Sequence, residues 1–527
     1  MKFMIIAISF LISYAVNCLT IDASLEIGIL SQRDLSANTT IDQLTLPGIN
    51  LNQVVFNSIG YTNDSYSYIT DLLNLGSSIF EINVYWNEKL AIWQVCPVPY
   101  SENVTELATI QKLENDDDTS FKCQRSFNLS TILTAFSEHF AETDTHLNAD
   151  LMQMYLNLYS LNPAYDYPDD YVNSAEKYES LSSIIISEVS DIYKYSDLKA
   201  DRANNKTYSS DGRSKSFEGY PTFSHVLFEK YKRLIPIVAS NNLDSDSSYN
   251  SSLLDIDSDY ILFNGSNGFE LTSYTFLNDT CQSDALENGE KKPFKTISNQ
   301  VSEWNFTLDS YKAYIECGIS PILNSSFSPY DSISDYLNIS LWSWNVNQPT
   351  IGTGTDEDED YTCALFDSTG GWRVGSCSEQ YPIACKNTST NFEWIIANIS
   401  KDYFSAGDYC PAGTVFDTPR NALDNLALMK TLNLEDDDVS DVWIDLNCIN
   451  VENCWVTGGP EASCPYADII TKKLLVEMIT PASVVSFVLL ILTILAKFDN
   501  VPIQSNRRHW KKLINEYSKD EYEGVPS

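Results

Sequence analysis

SSIFEINVYW, residues 77–86, decides the fold class of this chain. It is an apolar, aromatic run of strand length and reads as a buried strand. ADLMQMYLNLYSL (149–161) and RLIPIVAS (233–240) read the same way. Helical patterns fall between them, such as NLSTILTAFSEHF (128–140). Strands alternating with helices predict a parallel α/β sheet or barrel over residues 19–270. Roughly 250 residues is the usual length of an eightfold barrel. Two polar stretches, Lys199 to Ser216 and Asn241 to Asp259, read as flexible insertions.

Beyond residue 270 the composition changes. Cys, Trp and Gly become frequent and helical periodicity fades. The expected organisation is a second domain at 271–390 and a Cys-bearing third segment at 391–470. Acidic runs at Asp116–Asp118, Asp356–Asp360 and Glu435–Asp438 read as solvated loops. The 527 residues carry a formal net charge of −39, which repels nucleic acid, so no nucleic-acid partner is expected.

A late apolar run, MITPASVVSFVLLILTILA (478–496), lacks charge and predicts a transmembrane helix over 478–498. Residues 1–18 read as a signal peptide. Lys497, Arg507, Arg508, Lys511 and Lys512 follow the run and place the tail, 499–527, in the cytoplasm. Thirteen Asn-x-Ser/Thr sequons precede the run and none follows it: Asn38, Asn63, Asn103, Asn128, Asn205, Asn250, Asn264, Asn278, Asn305, Asn324, Asn338, Asn387 and Asn398. The expected product is a type I single-pass membrane glycoprotein of the secretory pathway or cell surface, with its N-terminus lumenal or extracellular. Of twelve cysteines, Cys18 would leave with the signal, and most of the others are expected in disulfides.

Candidate chemistry is sparse. Only His139, His146 and His225 precede the apolar run, and no GxSxG, Walker loop or HExxH occurs. Asp255-x-Asp257-x-Asp259 has Tyr260 where a calcium loop needs Gly, and reads as a solvated acidic loop. No cofactor and no metal site is expected.

LPGINLNQ (46–53), LLNLGSSIFEINVYWNEKLAIWQVCP (72–97) and GYPTFSHVLFEKYKRLIPIV (219–238) together resemble the phosphoinositide phospholipase C X-type barrel. The resemblance implies two catalytic histidines. Asn50 stands at the place of the first and Gln94 near the second, while Glu81 keeps the acidic strand position. Asn and Gln cannot exchange a proton near neutral pH, so the expectation is a degenerate, non-catalytic barrel. LDSYKAYIECGISPILNSSFS (308–328), LWSWNVNQP (341–349) and YTCALFDSTGGWRVGSCSEQYPIACK (361–386) resemble a C-type lectin-like domain of α+β class. That resemblance implies bridges Cys317–Cys385 and Cys363–Cys377. Gln348-Pro349-Thr350 and Trp372-Arg373-Val374 lack the oxygen ligands of its calcium site. Residues 409–432 and 442–466 carry Cys410, Cys448, Cys454 and Cys464, which could form two local bridges. Cys96–Cys123 is the expected pair among the remainder.

The order of these parts resembles the fungal maintenance of telomere capping protein 6 family, which implies a link to telomere capping. The function expected is non-enzymatic binding or scaffolding, with a protein or glycan ligand. The alternative is a hydrolase, either phosphodiesterase or glycosidase, using carboxylates at the barrel mouth, where Asn50, Glu81, Asn83 and Gln94 are the positions to watch. The basic cluster Arg507 to Lys512 reads as a topology anchor.

Overall fold

The computed structural model describes residues 22–88, 90–99, 107–114, 117–161, 179–209, 214–249, 251–266, 268–274, 292–298, 306–325, 332–350, 361–434, 440–466, 483–494 and 505–520. The chain divides into two compact units, Met1–Cys464 and Pro465–Ser527.

Eight strands of the first unit form one parallel sheet in chain order. They are β1 (Gly48–Asn50), β2 (Ile79–Asn87), β6 (Met152–Leu161), β7 (Leu234–Asn242), β8 (Leu262–Phe263), β9 (Thr272–Tyr274), β10 (Lys295–Ser298) and β11 (Ser320–Leu323). The last returns to pair with the first, Gly48 opposite Ile322, while β8 and β9 remain unpaired with each other. The result is a curled barrel, open at one seam. Gly48 is fixed by this closure: a Cβ there would lie 2.8 Å from Ile322 Cγ1 and 3.1 Å from the Ile79 Cβ. Strand β3 (Ile92–Gln94) adds to β2 antiparallel, and β4 (Leu107–Glu114) with β5 (Asp117–Gln124) forms a separate hairpin.

The outer face of β2, with Phe80, Ile82, Val84 and Trp86, is buried. Against it packs the helix Leu129–Glu142, whose buried residues Leu129, Ile132, Leu133, Phe136 and Phe140 recur at helical spacing. Phe80 and Phe136 meet edge to face at 4.9 Å. Asn128 caps this helix, its Oδ1 accepting from the Thr131 N–H.

The boundary expected at residue 270 therefore falls inside the barrel sheet. Strand β11, expected in the lectin-like region, closes this sheet, and the helix Leu308–Glu316 leads into it. The boundary expected at residue 390 falls inside a second sheet. Its strands are β12 (Tyr361–Asp367), β13 (Trp372–Ser376), β14 (Tyr381–Asn387), β15 (Trp394–Lys401), β16 (Thr414–Phe416) and β17 (Asp441–Asn447). The order is β13-β12-β17-β14-β15, with β16 on β14, so β17 joins the two segments. Helix Ala422–Leu432 is nearly wholly buried against this sheet.

Cysteines 96 and 123 are bonded, as are Cys363–Cys377 and Cys454–Cys464. The pair Cys317–Cys385 is not formed. Cys385 bonds Cys410, and Cys317 is bonded elsewhere. The reason is topological: Cys317 belongs to the barrel, whereas β14 delivers Cys385 toward the short strand β16. Cys448 is a buried free thiol, so the four late cysteines do not make two local bridges.

The stretch Asn241 to Asp259 is not a loose insertion. It holds the helix Ser251–Asp257, in which Asp257 is fully buried and accepts from the Ser182 N–H (2.8 Å) and the Tyr249 hydroxyl. Burial lifts the Asp257 carboxyl above its usual range, and these hydrogen bonds offset part of the rise.

The expected membrane localisation is overturned. Among the described residues no helix is long and apolar enough to cross a membrane. Of the apolar run, residues 483–494 are described, and they are helical. The second unit also contains the helix Ser505–Asp520, which carries the basic cluster. The signal expected at 1–18, the acidic runs at 356–360 and 435–438, and sequons Asn103, Asn250, Asn278 and Asn305 lie outside the described residues.

Candidate functional site

The sheet register builds a polar cluster inside the barrel. Asn50 lies opposite Glu81 across β1 and β2, and Asn83 lies opposite Asn157 across β2 and β6. Strand side chains alternate, so Glu81, Asn83 and Tyr85 share one face, as do Tyr155, Asn157 and Tyr159.

Asn157 is the centre of the cluster. Its Nδ2 donates to Glu81 Oε1 at 2.7 Å and to Asn83 Oδ1 at 3.2 Å. Its Oδ1 accepts from the Ser240 hydroxyl at 2.7 Å, and Ser240 in turn accepts from Asn242 Nδ2 at 3.2 Å. Tyr85 and Tyr159 stack above, with ring centroids 5.4 Å apart. Burial lifts the Glu81 carboxyl above the usual carboxylate range, and hydrogen bonds from Asn157 and Asn50 offset part of that rise. Burial also pushes the Tyr85 hydroxyl up to about 12.

Asn50 also acts locally. Its Oδ1 accepts from the backbone N–H of Asn52 (3.0 Å) and of Gln53 (3.3 Å), so it caps the turn Asn52–Phe56 that follows β1. Gln94 does not join the cluster by any hydrogen bond. It accepts from Asn87 and donates to the carbonyls of Cys96 and Val98, both at 2.7 Å, and so braces the loop closed by Cys96–Cys123. The structure thus gathers Asn50, Glu81 and Asn83, and sets Gln94 to structural work.

The three histidines of the first unit are engaged away from Glu81. His225 sits between Asp201 (3.2 Å) and Glu229 (2.6 Å). His139 faces Asn74 and Asp150. His146 stacks on Phe228. Among the described residues no group of three or more His, Cys, Asp or Glu could hold a metal ion.

Sequence reasoning missed Asn157, Ser240, Asn242 and the tyrosine pair. A signal was present in LMQMYLNLYSL, where Gln153, Tyr155, Asn157 and Tyr159 recur at every second position.

Residues 19–343 match the family model described as the MTC6 partial TIM-barrel domain. "Maintenance of telomere capping protein 6" of Komagataella phaffii is 32% identical, covering 99% of this chain and 100% of that protein. The protein of the same name from Debaryomyces hansenii is 30% identical, with 99% of each chain covered. A calcium-dependent phosphoinositol-specific phospholipase C from Pseudomonas sp., solved in its apo form, aligns at 9% identity. It covers 56% of this chain and 93% of that one, with a TM-score of 0.33. With the barrel model spanning most of the chain and relatives of one name matching it end to end, the chain belongs to the maintenance of telomere capping protein 6 family.

Proposed function

We propose that this protein takes part in maintaining telomere caps, as its relatives are named for, by non-enzymatic binding. The barrel mouth is its ligand site. The observation that carries this reading is the company Glu81 keeps: its hydrogen-bond partners are amides, and the imidazoles of the first unit are engaged elsewhere. Side-chain amides donate and accept but do not transfer protons near neutral pH. An amide-and-hydroxyl lining beside a stacked tyrosine pair suits a polyhydroxylated ligand such as a glycan. The acidic chain, at −39, favours action through a partner rather than on DNA directly.

The second sheet we read as a lectin-like module with a protein partner. Its hairpin β12–β13 is closed by Cys363–Cys377. Arg373, at a position where a calcium-binding lectin places an oxygen ligand, pairs instead with Asp441 at 3.2 Å.

The hydrolase reading draws on one observation, the raised Glu81 carboxyl, which suits a general acid. Acid and base pairs in glycoside hydrolysis need a second carboxylate, and none is bonded into this cluster.

The full chain applied to an array of glycans and glycosyl-phosphoinositides, with calcium and with chelator, tests the binding reading. Calcium-independent binding lost in Asn157→Leu supports it. Release of inositol phosphate or sugar by the wild type, abolished in Glu81→Gln, would establish the hydrolase instead.

A further inference from the structure

A cavity of about 100 Å³ lies at the other end of the barrel from Glu81. Its walls include the segments that enter the strands: residues 43–47 before β1, Gly76 and Ser78 before β2, and Asp150 and Leu151 before β6. Helix Ala23–Leu35 and the segment 340–342 close the other side. This is the N-terminal face of the barrel, where a conserved residue ordinarily serves stability rather than ligand binding.

Ile29, Leu44, Leu46, Leu151, Phe223 and Trp342 give the cavity an apolar lining. Two charged side chains also reach it, and both are consumed. Arg33 makes five hydrogen bonds: two to Asp34, and one each to the carbonyls of His146, Leu147 and Ala149. Asp150 is held by Arg233. A charged ligand would find no counter-charge and would lose its hydration.

Polar groups remain for a neutral one. Thr45 is buried, and its Oγ1 has no hydrogen-bond partner. Gln32 Oε1 already accepts from the Trp342 N–H and the Ser343 hydroxyl, which leaves its NH2 as donor. Asn421 Oδ1 already caps the helix Ala422–Leu432 through the Asp424 N–H, which leaves its NH2 as donor too. A buried polar group without a partner costs about 1–3 kcal/mol, so an acceptor oxygen placed there is rewarded. The cavity volume is about two-thirds of the roughly 150 Å³ apolar cavity that takes benzene, so the ligand is smaller than benzene.

We propose that this cavity binds a small neutral, mainly apolar molecule that carries one acceptor oxygen, a ketone or an alcohol. The proposal is independent of the ligand assigned to the barrel mouth.

Calorimetry on the full chain with acetone, isobutene and acetate tests it. Acetone should bind about tenfold more tightly than either of the others, the size of one added hydrogen bond or one uncompensated charge. Leu44→Phe, which fills the cavity, should abolish this binding. Asn421→Asp keeps the cap oxygen and removes the side-chain donor, so it should bring acetone down toward isobutene, and it decides the matter if the Phe variant does not fold. Equal binding of acetate, no binding of acetone, or a ketone preference unchanged in Asn421→Asp would overturn the proposal.

Discussion

Asn157 donates a 2.7 Å hydrogen bond to Glu81 across the β2–β6 strand pair, and that contact organises the interior of the barrel. It places a carboxyl among amides where burial, not a neighbouring charge, sets its protonation.

A pH dependence follows for Glu81. Its folded-state value lies above the ordinary 4.5, so the folded chain holds this proton to higher pH than the unfolded chain does. The stability it contributes is full below 4.5 and is lost as pH rises through the folded-state value. Glu81→Gln cannot titrate. Denaturant melts from about pH 4 to about pH 8 should show the variant gaining on the wild type as pH rises. A difference that stays flat across the range would contradict the burial argument.

Arg233 and Asp150 give the opposite sign. Burial alone would raise Asp150, but the hydrogen bond from His139 and the Arg233 charge outweigh it and hold the carboxyl below 3.8. That stability is present above 3.8 and fades as pH falls through the folded-state value. Arg233 is buried and also donates to the Phe140 carbonyl. Breaking a buried pair costs about 3–5 kcal/mol, and Asp150 is partly exposed, so Arg233→Met should cost about 3 kcal/mol at neutral pH. The penalty should shrink in acid.

Asn425 ties the tryptophan segment to the second sheet. It accepts from Trp372 Nε1 at 2.8 Å and donates to the carbonyls of Trp342 (3.0 Å) and Gly370 (2.7 Å). Gly370, at φ +90°, forms the turn between β12 and β13. Asn425→Ala would strand three buried polar groups and should destabilise the first unit by about 3 kcal/mol or more, read by chemical denaturation.

Peptide mapping without reduction should recover Cys385 linked to Cys410, not to Cys317. Cys385→Ala should leave a thiol at Cys410 that reacts with a maleimide, and should cost about 2–4 kcal/mol for the opened loop.

Long strands were legible because β2, β6 and β7 run nine or ten residues with aromatic and branched side chains. The four from β8 to β11 have two to four residues each and show no period to read. Hence the barrel seemed to end at residue 270. Asn50 and Glu81 were recoverable from the LPGINLNQ and SSIFEINVYW patterns, since register makes them neighbours. Gln94 was misplaced because its strand turns back on β2 and its amide is drawn toward the Cys96 loop. Asp257 looked solvated because nothing in its own segment announces the distant Ser182 N–H, or the turn that brings the Tyr249 hydroxyl back onto it. Cysteine pairing depended on tertiary placement, which spacing does not encode.

Strand β1 needs β11 as its second neighbour, and that neighbour is supplied only when Ile322 and Leu323 reach Gly48 and Ile49. Assembly of the barrel is therefore governed by contacts very distant along the chain, and such folds form slowly. A nascent chain halted near residue 300 would expose an unpaired hydrogen-bonding edge along Gly48–Asn50. The same edge makes any fragment ending at residue 270 prone to self-association, and makes the closing strand the step at which a chaperone would matter most.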